Sequence, residues 1–265
     1  MFDRYNRKVN YLRVSVTDRC NLRCVYCMPE DTTFMPADQL LTIAQIVDTV
    51  KHSVSQGVDK VRITGGEPTV RPDIVELVAS VAAIPGIKDL AMTTNGIMLQ
   101  QLAQPLAHAG LMRVNISLDS MDPERFRAIT RRGDIQKVFD GIEAAKKAGL
   151  SPIKINCVIR ESSDEPDAQA VRAYCEANGL QIRYIREMNL SMGEFWHVEG
   201  GDGGDCENCN RMRLTADGKF KPCLFNNLEF DTKTLGIEEG LKMSLDQKPK
   251  DGSVNTQNRF NNIGG

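Results

Sequence analysis

The chain has 265 residues, a net charge of −2, 41% apolar residues and 26% charged residues. That is enough chain for a sizeable core, in the balance of an ordinary soluble protein, and it excludes a global basic field of the kind that binds nucleic acid nonspecifically. The N-terminal stretch has no long apolar core or small-residue cleavage site, and no apolar run could span a bilayer, so neither export nor a membrane is expected and the cytoplasm is the expected compartment. In chain order the patterning predicts a strand over 11–17, a helix over 42–57, a strand over 58–66 ending in glycines, and a helix over 72–86. A strand over 87–96, a helix over 99–110, a strand over 111–119 and a helix over 135–150 follow. The alternation closes with a strand over 151–159, a helix over 165–180 and a strand over 181–188. Such a run of β–α units predicts a parallel sheet with right-handed crossovers, too short for an eightfold barrel. Its active site belongs at the strand C-terminal ends. After Met188 the pattern breaks into a Gly-rich segment, then a hairpin over 211–225 turning at Asp217-Gly218, then a polar tail with one amphipathic stretch over 236–245.

Eight cysteines in a chain without an export signal favour metal binding or catalysis over disulfides. Cys157 and Cys175 stand alone in a strand-like and a helix-like run and read as small buried hydrophobes. The other six form two groups. Cys20, Cys24 and Cys27 follow the first strand with the spacing C-x3-C-x2-C. Three thiolates on one loop suit three irons of a [4Fe-4S] cluster and leave the fourth iron open to a cosubstrate; zinc or reactive thiols are the competing readings. Cys206, Cys209 and Cys223 have the spacing C-x2-C-x13-C, with no nearby His other than His197. They read either as a second open cluster or as a zinc ribbon lacking a ligand.

The first group, with Tyr26 at its aromatic position, resembles the signature of the radical S-adenosylmethionine (SAM) superfamily, and so does Gly65-Gly66-Glu67-Pro68. The resemblance covers roughly residues 1–189. It implies a partial (β/α)6 barrel in which one cluster cleaves S-adenosylmethionine reductively to give a 5′-deoxyadenosyl radical. It also implies that Tyr26, Gly65, Gly66, Glu67, Pro68, Ser117 and Met188 contact the cosubstrate, with Glu67 able to accept from its ammonium group. The second cysteine string, with Arg211 and Arg213, is similar to the C-terminal signature of the GTP 3′,8-cyclases that begin molybdenum cofactor biosynthesis. Gly264-Gly265 matches that family's double-glycine tail. The implied small module, 190–265, closes the barrel with an auxiliary cluster.

Arg13, Lys60, Arg62, Lys154 and Arg183 all lie on predicted strands or their ends. Singly, each reads as a solvated strand end or an ion pair; together they point to a polyanion, because unpaired buried cations are costly. With Arg211, Arg213 and Thr93 they match the GTP contacts implied by the cyclase resemblance, which gives Arg13, Gly264 and Gly265 a part in activity. That resemblance further implies two [4Fe-4S] clusters, an electron donor such as a flavodoxin or ferredoxin, a downstream cyclic pyranopterin monophosphate synthase and a homodimer. Neither nucleic acid nor membrane is an expected partner. An enzyme acting on a peptide or another small molecule, an electron-carrying protein and a zinc module are the alternative readings. One departure is visible: between Met188 and Cys206 this chain has only a short Gly-rich segment where the cyclases carry strands and a helix.

Overall fold

The computed structural model describes residues 1–264. Six parallel strands run in chain order across the sheet: β1 (Tyr11–Ser15), β2 (Lys60–Thr64), β3 (Asp89–Thr94), β4 (Arg113–Ser117), β5 (Lys154–Ile159) and β6 (Gln181–Arg186). On the other side of β1, β7 (Arg211–Leu214) pairs parallel, followed by antiparallel β8 (Lys219–Lys221) and β9 (Phe230–Asp231). The C-terminal strands therefore continue the one sheet, whose edges are β6 and β9. The crossovers carry α1 (Ile43–Ser55), α2 (Ile74–Ala82), α3 (Leu99–His108), the pair α4 (Pro123–Thr130) and α5 (Ile135–Lys147), and α6 (Pro166–Ala177). The patterning predicts no helix at α4. There the local signals are Asp122, which accepts from the Arg125 amide at 2.7 Å, and Pro123 in the first turn. C-terminal to the sheet lie α7 (Thr232–Leu235), α8 (Ile237–Asp246) and α9 (Phe260–Ile263).

Parallel strands covered on both faces normally read as continuous apolar runs. These strands alternate instead. Leu12, Val14, Val61, Ile63, Leu90, Met92, Val114, Ile116, Ile155, Met212 and Leu214 are buried on the helix-covered face, in one core with Cys157 and Cys175. The opposite face carries polar side chains in register. Arg62 pairs with Arg13, which pairs with Arg213; Lys60 pairs with Tyr11, which pairs with Arg211. Further along, Ser117 pairs with Asn156 and Asn156 with Arg183. The interior of the curved sheet is thus a polar chamber.

The Gly-rich segment closes one edge. Glu199 and Tyr184 of β6 exchange backbone hydrogen bonds of 3.0 and 3.1 Å, which covers amides that an edge strand would leave unpaired. Among the described residues no helix is long and apolar enough to cross a membrane.

Candidate active site

The two cysteine groups lie at opposite ends of the strands. Cys20, Cys24 and Cys27 follow β1, at the C-terminal ends of the parallel strands. Cys206 and Cys209 precede β7, parallel to β1, and Cys223 follows β8, antiparallel to β7, so this second group sits at the N-terminal end. Five residues of strand separate the ends, a span of about 16 Å.

The first group opens into a cavity of about 200 Å³, bordered by all three thiols together with Gly65, Gly66, Glu67 and Ser117. The loop is folded back on itself: the Cys27 and Met28 amides donate to the Cys24 carbonyl at 3.0 and 3.1 Å. Gly66 is required by space, because a Cβ there would press on the Asp18 carbonyl at 2.6 Å and on the Arg19 carbonyl. Burial pushes the Cys20 thiol up to about 11, Glu67 adding to it, and burial with Cys20 alongside pushes Cys27 up to about 12. Cys24 is raised further by burial, Asp119 and the neighbouring thiols. A bare triad so disposed resists ionisation, and its thiolates call for cationic ligands of their own. Among the described residues no three His, Cys, Asp or Glu side chains gather closely enough to hold a single metal ion. Zinc draws its sulfurs to about 2.3 Å from one point, whereas a cubane gives each thiolate its own iron. Three thiols on one loop bordering a cavity fit the cubane.

Glu67 also has a structural part. Its carboxylate accepts from the Thr69 amide at 3.0 Å, Thr69 Oγ1 at 2.6 Å, Thr94 Oγ1 at 2.7 Å and the Asn95 amide at 2.6 Å. Three of these donors share Oε1 and one takes Oε2, so the carboxylate ties the loop after β2 to the loop after β3 while it borders the cavity. Pro68 opens the short 3-10 turn Pro68–Val70, buried behind the cavity. Tyr26 donates to Asp119 Oδ2 at 2.7 Å, and burial holds that carboxyl up at about 6.

The second group opens into a cavity of about 180 Å³, bordered by Cys206, Cys209 and Cys223 and by Arg13, Arg62, Arg183, Arg211 and Arg213. Asn156, Ile185 and Met188 border both cavities and form their common wall. Burial depresses Arg13 and Arg62, with further depression from neighbouring guanidiniums, Arg213 among them for Arg13 and Arg183 for Arg62. Arg213 is brought down to about 10 by burial and Arg211. Guanidiniums gathered at one cavity repel one another, which is why each favours its neutral form more than usual. Lys60 and Lys154 begin their strands on the same face but do not border this cavity; Thr93 borders the first one and receives a 3.5 Å hydrogen bond from Arg62. His197 is exposed.

The tail threads between the two cavities. The Gly264 carbonyl accepts from Arg13 at 3.3 Å and also from Arg213, and a Cβ on Gly264 would collide with Thr64 at the end of β2. Gly265 lies outside the described residues.

Two cations that hold the second group had no signal in the sequence. Lys248, 1% exposed, donates to the Arg211 carbonyl at 2.7 Å and the Pro222 carbonyl at 2.6 Å. It also stands near Cys209, whose thiol is lowered: burial opposes this, and Lys248 more than offsets it with help from the Arg211 amide and guanidinium. Arg7, anchored on Asp3 at 2.7 Å, donates to the carbonyls of Cys206, Lys250 and Pro249 at 2.6–2.7 Å.

The Radical SAM superfamily model matches residues 14–173, more than half of the chain, and the chain belongs to that superfamily. Among solved structures it is similar to native anSMEcpe with bound AdoMet, at a TM-score of 0.66 and 16% identity over 91% of this chain and 81% of that one. Streptococcus suis SuiB bound to precursor peptide SuiA gives a TM-score of 0.67 at 17% identity over 92% of this chain and 66% of that one. These likenesses concern the fold. Within the superfamily the chain belongs with the GTP 3′,8-cyclases. That of Thermodesulfovibrio yellowstonii is 37% identical over 97% of both chains, and that of Lactiplantibacillus plantarum 38% identical over 94% of this chain and 91% of its own. The first alignment spans 312 residues against a chain of 265, so the relative carries residues that this chain lacks.

Proposed function

We propose that the protein is a GTP 3′,8-cyclase, a lyase that uses two [4Fe-4S] clusters and S-adenosylmethionine to join the ribose C3′ of GTP to guanine C8. The observation that carries this reading is the pairing of two cysteine triads at opposite ends of one chamber, with five arginines bordering the cavity of the second. When bound at Cys20, Cys24 and Cys27, the reduced cluster and its cosubstrate supply the one-electron chemistry that removes a hydrogen atom from substrate carbon.

The chain's own residues do the rest. Arg13, Arg62, Arg183, Arg211 and Arg213 neutralise and orient the triphosphate, since the planar guanidinium matches phosphate oxygens in pairs. Lys60 and Lys154 extend the positive field behind them. Arg62 positions Thr93, and the Gly264 carbonyl, resting on Arg13 and Arg213, makes the tail part of the substrate wall. Cys206, Cys209 and Cys223 would hold the second cluster beside the substrate. Tyr26, Gly65, Gly66, Glu67, Ser117 and Met188 frame the cosubstrate, with Pro68 shaping the loop. Residues 190–265 act as the module that carries the second cluster and substrate. An electron donor of the flavodoxin or ferredoxin kind would reduce the first cluster in the cytoplasm, and a cyclic pyranopterin monophosphate synthase would take the product.

The test is turnover of anaerobically reconstituted, reduced protein with GTP and S-adenosylmethionine. A GTP-derived cyclic nucleotide and 5′-deoxyadenosine in equal amounts are expected. Deoxyadenosine without the cyclic product would reject GTP as the substrate.

A further inference from the structure

Asp202 lies near the end of the shortened segment, flanked on both sides by glycine pairs, Gly200-Gly201 and Gly203-Gly204. It borders the arginine cavity. Its carboxylate pairs with Arg211 at 3.1 Å, and its own carbonyl accepts a second bond from the same guanidinium at 2.8 Å. Burial would raise this carboxyl, yet Arg211, Arg183 and Arg62 hold it below the usual range. The one acid therefore feels three of the cations assigned to the triphosphate. Asp205, the other acid on the cavity border, is engaged elsewhere, accepting from the Asn208 amide at 3.1 Å and its side chain at 3.0 Å.

The placement is built into the backbone. Gly200 has a φ of +77° and lies where a Cβ would meet the Ile182 carbonyl of β6 at 2.7 Å; Gly204 has the same φ and abuts the Trp196 carbonyl. Both positions admit only glycine, and together they pin the segment against the edge strand, beside Arg183. The pair itself is loosely held. The Arg211 side chain is 16% exposed and that of Asp202 is 66% exposed, so the carboxylate stands at the cavity mouth, where an ion pair contributes little.

Resting on the proposed triphosphate site, we infer that Asp202 is a resident counter-anion of the arginine cavity, which an incoming polyphosphate must displace, and that this residue sets the protein's affinity for its substrate's phosphates. The carboxylate swings to solvent when phosphate oxygens take over Arg211, while the bond from Arg211 to the Asp202 carbonyl keeps the segment in place. A triphosphate carries enough charge to make the exchange favourable, whereas a nucleoside or monophosphate gains too little to evict the acid. Asp202 thereby acts as a specificity-determining residue for phosphate number.

The experiment measures binding of GTP, GMP and inorganic tripolyphosphate to the reconstituted protein by calorimetry, with EDTA and with magnesium, for wild type, Asp202→Asn and Asp202→Glu. In EDTA, Asp202→Asn should bind tripolyphosphate and GTP about fivefold more tightly, an advantage that shrinks as salt is raised. It should also narrow the gap between GTP and GMP and lower KM for GTP without raising kcat. Asp202→Glu, which restores the charge, should return to wild-type affinity. Unchanged or weaker binding by Asp202→Asn overturns the inference, as does weakening confined to magnesium, which would make Asp202 a metal ligand. Tighter tripolyphosphate binding with no GTP binding by either protein would uphold the role of Asp202 and reject GTP. Failure of every form to bind tripolyphosphate overturns the inference even if cyclic product is formed.

Discussion

Replacing Lys248 by methionine should cost the protein its second iron–sulfur cluster. The ammonium is almost fully buried and bridges the Arg211 carbonyl at 2.7 Å and the Pro222 carbonyl at 2.6 Å. Arg211 stands two residues beyond Cys209 and Pro222 immediately before Cys223, so this one side chain sets the separation between the two halves of the cysteine group. Hydrogen bonds from a charged donor contribute about 1.5–3 kcal/mol each. Removing the buried charge returns part of that through desolvation, which leaves a net loss of about 2–4 kcal/mol. Lys248→Met fills nearly the same volume and isolates the electrostatic term. It also withdraws the positive charge that favours the Cys209 thiolate against burial. Iron and sulfide should fall by about half in anaerobically purified protein, with the first cluster's cosubstrate cleavage retained and GTP-derived product lost. Full iron content with an unchanged unfolding midpoint in Lys248→Met would refute the reasoning.

Arg7→Ala should reproduce the loss of the second cluster more mildly, because Arg7 buttresses the Cys206 carbonyl from outside; iron analysis after mild chelation would reveal it. Glu67→Gln should destabilise by about 2–3 kcal/mol and weaken S-adenosylmethionine binding, since an amide nitrogen would be turned on donors that now share a carboxylate; urea melts and equilibrium binding would measure both. The Glu229 carboxyl is held below its usual range: burial opposes this, and Asn258, Lys221 and Lys219 prevail. Its stabilising contribution is therefore present above the ordinary carboxylate pKa and lost as pH falls through the depressed value. Glu229→Gln should flatten that acid limb and lower stability at neutral pH by about 1–3 kcal/mol, because buried Lys221 would lose its ion pair; melts from pH 3 to 7 would show both effects.

The sheet was legible because each strand alternates and is followed by a well-marked helix, as with Thr42 and Gln45, which cap α1 reciprocally. Both cysteine groups stood out by spacing, with the resemblance favouring clusters over zinc, and Arg13, Arg62 and Arg213 fall into one cross-strand row. Lys60 and Lys154 share the inner face but sit at the strand starts, a depth that residue type does not encode. Helix α4 escaped notice because only two of its eight residues are buried, which leaves little apolar period to read. Lys248 and Arg7 are two of 33 basic residues, and the carbonyls they bind lie up to 243 positions away in the chain. Backbone acceptors carry no signature in the sequence, so such contacts emerge only from the folded chain. The bonds of Glu67 to Thr69, Thr94 and Asn95 carry no signature in the sequence either.

Because the thiol groups stand at either end of β1, the chamber behaves as a ruler. Groups held at the two thiol sets are kept about five residues of extended backbone apart. A change that bowed or shortened β1 would alter that interval and so put events at the two ends out of step.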